Sequence, residues 1–420
     1  MSSVAIIAAT FHGNRGAEAM LSTAVGVLSE RCGPQLRFEV FSYYPRVDRQ
    51  LVNDPRVRIF SATPAHLVLV LLPGAVLHRL LGGLRLHRLQ RLLPASVRAL
   101  ARSRALLCLA GVSFIDGRAK FLPFNIATIW PAMILGVPVV KLSQAMGPFR
   151  TWPNRPLAHW FLSRCHRLHT RGEVTQRHVA GLLGSGGCYG RSDDVAFLFE
   201  GRFVLSTPAP GLDGRLAALQ ALRERGRPIV GVCPSAVIAR RAAAAGHDYP
   251  RWLAGLITDL VGLGHGVALY PNATRGPEET RLHNNDLPLL RATLSHLDPA
   301  VAGSVVGFED GWNAAQIHRI LGACDVHAVS RFHAMVGALV VGVPVLVMGW
   351  SHKYLEVMER FGQADMVFDG ADLDRPSTVA LIQRLIAERA ERRDRIVAAL
   401  PEVQALASRQ FDAVQPLLTP

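Results

Sequence analysis

Five consecutive residues, Ser330-Arg331-Phe332-His333-Ala334, include three side chains that could do chemistry. An apolar β-like run precedes them and an apolar helical run follows, which places them at a strand-to-helix turn. Backbone N–H groups at the start of a helix attract anions. Arg331 offers a planar fork of donors to a phosphate or carboxylate, and His333 can move protons near neutral pH. The spacing indicates either a site for a small anion with acid–base chemistry or a helix whose first turn is capped by Ser330.

The elements that must position this turn alternate between strand and helix patterns. In the first half, β-like runs lie at residues 4–10, 37–44, 57–62, 105–110, 137–142, 167–170 and 194–199, with helical patterns at 16–31, 124–135 and 156–164. In the second half, β-like runs lie at 228–232, 267–270, 305–308, 325–329 and 343–348, with helical patterns at 252–263, 287–297, 313–323 and 335–341. Strands that alternate with helices predict parallel sheets covered on both faces.

Changes in composition divide the chain into four parts. We predict an N-terminal α/β domain over residues 1–204, a linker rich in Pro and Gly over 205–214, and a second α/β domain over 215–377. Residues 378–420 form a charged helical segment that we expect to pack back across the domains.

The net charge of +14 raises the question of an anionic partner. No stretch interleaves aromatic with basic side chains as single-strand binders do, so we predict no nucleic-acid partner. The six cysteines include no C-x-x-C pair, and no carboxylate cage accompanies the loops, so we expect no metal and no cofactor. The N-terminus enters an apolar run without a basic leader, which favours a cytoplasmic location.

Residues 66–104 interrupt the regular alternation and contain seven arginines but no acidic residue. Leucines at 77, 80, 81 and 84 share one helical face, and the apolar stretch 67–77 is too short to span a bilayer and is interrupted by Pro73 and Gly74. A basic amphipathic helix suits an anionic membrane surface, which would place the protein peripherally at the inner face of the plasma membrane. The alternative is a helical excursion whose leucines are core and whose arginines are solvated.

Three further loops follow β-like runs and combine glycine with polar side chains, at residues 11–18, 110–116 and 143–149. The residues with chemistry in them are Asn14, Gly16, Glu18, Ser113, Asp116, Ser143, Gln144 and Gly147. In open parallel sheets, ligands gather outside the carboxyl ends of the strands. Four such loops in one chain favour a shared ligand more than any one of them does.

Lysine is rare in this chain, since only three of its 46 basic residues are lysines. A retained lysine favours a position where a compact point charge is preferred over a fork. Lys353 follows the last apolar strand pattern and Lys141 directly precedes the loop at 143–149. We therefore expect that either lysine could reach a bound ligand.

Four motifs in order along the chain resemble those of the polysaccharide pyruvyl transferase family. They are Asn-Arg-Gly-Ala-Glu at 14–18, Ser-Gln-Ala-Met-Gly-Pro-Phe at 143–149, Thr-Arg-Gly-Glu at 170–173 and Ser-Arg-Phe-His-Ala at 330–334, the last followed by Gly-Val-Pro-Val. Two features depart from the family pattern. The loop at 110–113 lacks the run of glycines that the family often has, and the insert at 66–104 has no counterpart.

The resemblance implies an α/β fold of two Rossmann-like domains facing across a cleft, in the GT-B-like arrangement. It also implies a pyruvyl transferase that moves a pyruvyl group from phosphoenolpyruvate to two hydroxyls of a sugar, forming a cyclic ketal. If the insert at 66–104 touches the membrane, a lipid-linked sugar or oligosaccharide is the natural acceptor. Arg331 matches the anion-binding arginine of the family and His333 its catalytic histidine, acting as acid or base. We predict donor contacts from Asn14, Gly16, Ser143, Gln144, Gly147, Arg171, Ser330 and Lys353, and acceptor contacts from Glu18, Ser113, Asp116 and His283.

Two other functions fit parts of the same pattern. A GT-B glycosyltransferase would also place an arginine at a diphosphate, but it usually has a carboxylate near the ribose. Here the loop after the 343–348 run offers Trp350, His352 and Lys353, and Glu356 comes only later. A non-catalytic, membrane-associated partner in glycan assembly would keep the fold without needing His333.

Overall fold

The computed structural model describes residues 2–201, 203, 205, 209–275, 284–349, 351–370 and 373–418. The chain forms two compact units. The first unit comprises Met1–Phe11, Met20–Ser206 and Gln404–Pro420, and the second comprises His12–Ala19 and Thr207–Val403. Two short segments therefore differ from the predicted boundaries. Residues 12–19 belong to the second unit, and residues 404–420 return to the first.

A parallel sheet forms the centre of the first unit. Its strands are β1 (Ser3–Ile7), β2 (Arg37–Ser42), β3 (Val57–Ser61), β4 (Leu106–Cys108), β5 (Val112–Ser113), β6 (Val139–Met146), β7 (Arg167–Arg171) and β8 (Tyr189–Ser192). The order is β3-β2-β1-β4-β6-β7-β8, with β5 paired to β6. All five residues of β1 are buried, as expected for a central parallel strand covered on both faces.

The second unit is built on another parallel sheet. Its strands are β9 (Ile229–Cys233), β10 (Gly266–Leu269), β11 (Val305–Gly307), β12 (Val326–Val329), β13 (Val345–Gly349) and β14 (Val367–Asp369). They follow the order β11-β10-β9-β12-β13-β14. Both sheets thus share the Rossmann-like strand order, which reverses between β1 and β4 in one unit and between β9 and β12 in the other. The predicted fold class, α/β with two Rossmann-like sheets, is confirmed.

Helices connect the strands. In the first unit they are Pro45–Leu51, Pro64–His66, Leu67–Leu71 (π), Leu72–Gly83, His87–Gln90, Ala95–Arg102, Ala119–Phe121 (3₁₀), Leu122–Ala127, Trp130–Leu135, Asn154–Leu162, Gly172–Leu183 and Val195–Leu198 (3₁₀). In the second they are Leu212–Glu224, Ala236–Ala244, Tyr249–Gly262, Leu287–Ser295, Pro299–Ala302, Ala314–Gly322, Phe332–Val340, His352–Arg360, Ala364–Met366 (3₁₀) and Arg375–Ala387. Helices Arg15–Cys32 and Arg389–Asp412 contain residues of both units, and Gln415–Leu418 ends the chain.

Several predicted elements differ from those observed. The predicted strand at 194–199 is the 3₁₀ helix Val195–Leu198, because the Asp194 carboxylate accepts from the Ala196 N–H and caps a turn. The helical pattern at 124–135 is two helices, and the predicted linker at 205–214 ends where helix Leu212–Glu224 begins. Strands β5, β8 and β14 lay outside the predicted runs, since they are short and half polar.

The insert at 66–104 is helical, but its first helix does not break at Pro73. Helical structure is continuous over Pro64–Gly83. Proline has no N–H, and its ring crowds the carbonyl one turn earlier. The π-helical turn Leu67–Leu71 stands directly before this point and widens the helix there. Among the described residues, Pro64–Gly83 is the helix long and apolar enough to cross a membrane, and 28% of its most apolar window is buried.

Candidate active site

The Ser330–Ala334 turn lies where the strand order of the second sheet reverses. Strand β12 ends at Val329, and helix Phe332–Val340 begins with Arg331 as its N-cap residue. Ser330 does not cap this helix. Its hydroxyl is fully buried and lies 3.3 Å from the hydroxyl of Tyr249. The prediction of a helix capped by Ser330 is therefore wrong, and the turn occupies the position where open α/β sheets bind their ligands.

Arg331 is held by a carboxylate that comes from another loop of the second unit. Arg331 Nε donates to Asp286 Oδ2 at 2.9 Å, and Nη2 donates to Asp286 Oδ1. Nη1 donates to Asn284 Oδ1 at 3.3 Å. These contacts use three of the five N–H groups that an arginine carries. The guanidinium is thus oriented by these contacts, and two of its five N–H groups are not used by them and could bind an anion.

The Asp286 carboxylate accepts from the backbone as well as from Arg331. Ala236 N–H donates to Oδ1 at 2.9 Å and Ala273 N–H donates to Oδ2 at 3.1 Å. Ala236 opens the helix after β9, so Asp286 joins the ends of β9 and β12. Burial opposes the charge of Arg331, but the adjacent Asp286 carboxylate outweighs it and raises the pKa of Arg331 above its ordinary value. The guanidinium stays charged at any working pH.

The N-terminal motif at 14–18 docks on the second unit beside this turn. Asn14 forms an antiparallel bridge with Ala273, Arg15 N–H donates to Asn272 O at 3.2 Å, and Thr274 N–H donates to Gly13 O at 2.8 Å. The Asn14 side chain accepts from the N–H groups of Gly16 and Ala17, so it caps helix Arg15–Cys32. Two motifs that lie more than three hundred residues apart in the sequence therefore meet in one unit.

Gly16 is packed against the imidazole of His333. A Cβ atom added to Gly16 would lie 2.1 Å from His333 Cγ and 2.6 Å from His333 Cβ, closer than atoms can approach. Gly16 therefore leaves the space that the His333 ring occupies, and the ring is positioned by the backbone of the first motif.

Replacing Gly16 by alanine is expected to destabilise the protein by about 1–3 kcal/mol, the usual cost of overpacking. The matched control is Gly181→Ala, since an added Cβ there meets nothing within 4 Å. That change should be neutral or stabilising, because alanine favours the helix. Urea unfolding of the two variants measures the difference. Equal stabilities would contradict the close packing of Gly16 on His333.

Arg15 and Glu18 of the first motif form a buried ion pair at 2.5 Å. Arg15 also donates to Thr274 Oγ1 at 3.2 Å, and Glu18 Oε1 accepts from the N–H of Ala314 at 2.8 Å. Glu18, predicted to contact an acceptor, thus binds its own motif and the start of helix Ala314–Gly322.

His12 precedes this motif. Burial, together with the nearby charges of Arg15 and Arg275, lowers the pKa of His12 to about 4. Its imidazole is therefore neutral at physiological pH, and no sequence pattern had drawn attention to it.

Lys353 lies over the aromatic side chains next to the turn. Its Nζ is 4.7 Å from the ring centroid of Phe332 and 5.3 Å from that of Tyr354. The Tyr354 hydroxyl donates to Ser330 O at 3.3 Å. Cation–π contacts hold an ammonium in place without neutralising it. Lys353 thus places a positive charge beside Phe332, the residue between Arg331 and His333.

The second motif forms a bulge in the first unit. Strand β6 continues to Met146, beyond the predicted end at 142, and its register with β7 shifts between Lys141 and Gln144. Ser143 has a φ of 37°, in the left-handed region. Bulges of this kind redirect side chains next to functional sites. Here the Ser143 hydroxyl accepts from the N–H of Val195 at 3.2 Å.

Gln144, in strand β6, connects this strand to the end of β4 and to β5. Its Nε2 donates to Cys108 O at 2.6 Å, and its Oε1 accepts from the Ser113 hydroxyl at 2.7 Å. Gln144 is fully buried and Ser113 nearly so. The structure therefore brings the predicted residues Ser113, Ser143 and Gln144 together at the carboxyl edge of the first sheet.

Arg171, at the end of β7, also reaches this edge. Its Nη1 pairs with Asp194 Oδ2 at 2.6 Å, and its Nη2 donates to Gly111 O at 2.9 Å. Both side chains are buried, and the Asp194 side chain is 0% exposed. Asp194 is a functional candidate that the sequence did not reveal, because its only local signal, an acidic residue before an apolar run, was assigned to a strand.

Replacing Asp194 by asparagine is expected to destabilise the first unit by about 3–5 kcal/mol, because it leaves the buried Arg171 charge without its carboxylate. Asp213→Asn is the matched control. Its pair with Arg319 has the same length of 2.6 Å, but the Asp213 side chain is 85% exposed. An exposed pair contributes about 1 kcal/mol or less. Urea unfolding followed by circular dichroism compares the two. Similar midpoints would contradict the structural importance of the buried pair.

The remaining predicted residues lie further from these contacts or outside the described part of the chain. Asp116 accepts from Arg150 N–H, the Thr151 hydroxyl and Asn154 Nδ2, which fixes its loop. A Cβ on Gly147 would lie 2.7 Å from His178 Cβ, and its φ of 78° also favours glycine. His283 lies outside the described residues.

Lys141 does not reach a ligand position. It is 1% exposed, its Nζ is 3.6 Å from Cys108 Sγ, and it lies 5.5 Å from the ring centroid of Phe114. The expectation for Lys141 is therefore wrong. Its place before a polar loop in the sequence did not show that it points into the interior.

Within the described ranges, no three His, Cys, Asp or Glu side chains lie close enough to hold a metal ion. The arrangement instead offers fixed cations, an imidazole and backbone N–H groups, which suit an anionic substrate and proton transfer.

Two Rossmann-like sheets, one with a held guanidinium and an imidazole where its strand order reverses, define an α/β protein that presents cationic and proton-transferring groups at that edge. The family model of the polysaccharide pyruvyl transferases matches residues 14–352, and the chain belongs to this family. It is therefore a transferase that acts on polysaccharide. No curated protein sequence matches the chain.

Solved structures with this fold include proteins of UDP-sugar chemistry. The MnaA–UDP structure from S. aureus has a TM-score of 0.60 at 10% identity, covering 100% of this chain and 98% of that one. A putative UDP-N-acetylglucosamine 2-epimerase from Listeria monocytogenes has a TM-score of 0.57 at 11% identity, covering 97% and 94%. An α,α-trehalose-phosphate synthase from Burkholderia vietnamiensis has a TM-score of 0.54 at 11% identity, covering 99% of both chains. At such identities the likeness shows the fold alone.

Proposed function

We propose that this protein transfers the pyruvyl group of phosphoenolpyruvate to two hydroxyls of a sugar during the biosynthesis of a polysaccharide or of its lipid-linked precursor. The C=C π bond of phosphoenolpyruvate breaks as its methylene carbon gains a proton, two C–O bonds form between C2 and the sugar, and the C2–O bond to phosphate breaks. Of the two protons that the sugar hydroxyls lose, one balances the proton gained by the methylene carbon and the other leaves with phosphate. The products are a cyclic pyruvate ketal and inorganic phosphate. No electrons are exchanged, so the reaction needs neither a redox cofactor nor another co-substrate.

The observation that supports this proposal most strongly is the Arg331 fork, oriented by Asp286 one residue away from the helical turn that presents His333. Phosphoenolpyruvate carries a carboxylate and a phosphate, so it requires more than one cationic contact. In our proposal Arg331 and Lys353 supply such contacts. Charged donors fixed in advance stabilise developing charge without reorganising at the moment of reaction.

His333 performs one of the two proton transfers in this proposal. It delivers a proton to the methylene carbon or accepts one from the attacking hydroxyl. General acid–base catalysis of this kind contributes roughly 10²–10⁴-fold to the rate. The contact of the ring with Gly16 favours catalysis because it limits the positions that the imidazole can adopt.

The buried polar residues have a supporting role in this proposal. Ser330, Ser143 and Gln144 are fully buried, so we assign them to the shape of the loops rather than to direct contact with phosphoenolpyruvate. Arg171 supports the loop at Gly111, at the carboxyl edge of the first sheet, through its hydrogen bond to Gly111 O. Glu18 and Asp116 each fix the loop that carries them.

The test is incubation of the purified protein with phosphoenolpyruvate and a series of sugar acceptors, while phosphate release and the acetal-type methyl signal of the ketal are followed by NMR. Acceptor-dependent formation of both products is expected. Release of nucleoside diphosphate from a nucleotide sugar, without use of phosphoenolpyruvate, would instead support the glycosyltransferase alternative. If neither donor gave a product, both the pyruvyl transferase proposal and the glycosyltransferase alternative would be contradicted.

A further inference from the structure

Helix Pro64–Gly83 has two apolar faces. One face is buried: Leu67 and Leu71 belong to the core of the first unit, and Ala75 is 0% exposed. A Cβ on Gly74 would lie 2.5 Å from Val97 Cγ2, so the helix lies directly against helix Ala95–Arg102. The opposite face is apolar as well but exposed, with Val68, Leu69, Val76, Leu77 and Leu80. A helix packed on a soluble domain normally turns polar residues outward.

The exposed apolar face continues into the next segment and is surrounded by positive charge. Large apolar side chains at Leu84, Leu86, Leu89 and Leu92 are also exposed. Exposed arginines stand among them at Arg79, Arg85, Arg88 and Arg91. Between Asp54 and Asp116 the sequence has no acidic residue to balance them. We call this surface, formed by the exposed residues of 68–92, the basic apolar face.

Aromatic side chains border the basic apolar face. Helix Leu72–Gly83 packs against helix Trp130–Leu135, whose Trp130 is partly exposed and contacts Phe161 edge-on at 5.8 Å between ring centroids. Trp160, next to Phe161, is also exposed, and the Arg164 guanidinium lies 4.2 Å from its ring centroid. Tryptophan favours the boundary between lipid tails and headgroups, where its ring is half in each environment.

We propose that the basic apolar face binds the surface of an anionic phospholipid bilayer, with its leucines among the upper acyl chains and its arginines at the headgroup phosphates. Leucine beside arginine, with tryptophan at the margin, is the chemistry that an interfacial helix requires. The charge argues against a second copy of this chain as the partner, because two such faces would bring like charges together. The burial of Leu67, Leu71 and Ala75 argues against a helix that spans the bilayer, since crossing would remove them from the core.

The proposal is tested with the full-length protein and sedimenting vesicles of phosphatidylcholine, either pure or mixed with phosphatidylglycerol. Binding to the anionic vesicles is expected, with little binding to pure phosphatidylcholine. At about 1 kcal/mol for each arginine, roughly a fivefold effect, the triple change Arg85→Gln, Arg88→Gln and Arg91→Gln should weaken binding up to about 100-fold. The double change Leu69→Gln and Leu80→Gln, at side chains 72% and 58% exposed, should weaken it about tenfold or more.

Matched controls exist elsewhere on the chain. The triple change Arg46→Gln, Arg225→Gln and Arg240→Gln removes the same charge from exposed sites outside the face. The double change Leu263→Gln and Val397→Gln alters side chains 53% and 56% exposed in the second unit. Both should bind vesicles as the unchanged protein does. Vesicle binding does not require the transferase reaction, so its result stands apart from the proposed function.

Three results would overturn the proposal. The first is equal binding of the face variants and the controls. The second is retention of the protein in membranes after alkaline carbonate washing, which would show a spanning helix. The third is a dimer in sedimentation velocity that dissociates in the Leu69→Gln and Leu80→Gln variant, which would show a second copy on this face.

Discussion

Replacing His333 by alanine is expected to lower kcat for pyruvyl transfer by about 10²–10⁴-fold while the protein stays folded, because the proton transfer loses its general acid or base. The affinity for phosphoenolpyruvate should change little, since Arg331 and Lys353 remain in place. Phosphate release at saturating phosphoenolpyruvate and acceptor measures kcat, and circular dichroism checks the fold.

His296→Ala is the matched control, since His296 is exposed at the end of helix Leu287–Ser295, away from the turn. It should retain the full rate. If His333→Ala also retained most of its activity, the imidazole would have no part in the chemistry, and the view of the protein as a non-catalytic partner in glycan assembly would gain support.

The sequence predicts the position of the turn well for a physical reason. Central parallel strands are buried on both faces, so they appear as short, mainly apolar runs such as Val326–Val329, in which only His327 is polar. The polar residues that interrupt such a run mark the carboxyl edge of the sheet. Ser330, Arg331 and His333 follow in this way, and the structure places them at the reversal of strand order.

The residues that contact the turn could not be predicted in the same way. Asp286 is separated from Arg331 by 45 positions, and nothing in its local pattern distinguishes it from an acid that starts a helix before Leu287 and Pro288. Likewise, residues 12–19 follow the first strand of one unit but belong to the other. Both facts depend on tertiary packing, which leaves no periodic signal along the chain.

Predictions from single residues also failed where the packing of the helix offsets the effect of those residues. Pro73 and Gly74 predict an interruption, yet the helix continues because a π-helical turn accommodates the proline and Gly74 allows close approach of Val97. Because of this packing, some leucines of this region are buried in the core and others are exposed to solvent. A sequence pattern shows that the segment is apolar and basic, but only the structure separates the core leucines from the exposed ones.

Replacing Asp286 by asparagine is expected to raise KM for phosphoenolpyruvate by about 30-fold or more, and to destabilise the protein by about 3–5 kcal/mol. The two carboxylate oxygens accept four N–H groups, two from Nε and Nη2 of Arg331 and one each from Ala236 and Ala273. An amide in this place offers one oxygen, and its NH₂ group would face donors. The guanidinium then loses its orientation in a buried site. Steady-state kinetics and urea unfolding measure the two effects.

Asp310→Asn is the control, because the Asp310 carboxylate is partly exposed and lies 3.6 Å from Arg215. It should alter neither quantity. Arg331→Lys separates binding from stability, since lysine keeps the charge but has no planar fork to match both a carboxylate and Asp286. If Arg331 holds phosphoenolpyruvate, KM should rise in Arg331→Lys as it does in Asp286→Asn. If both variants lost stability while KM stayed unchanged, the pair would only join the ends of β9 and β12, and the donor would have to bind elsewhere.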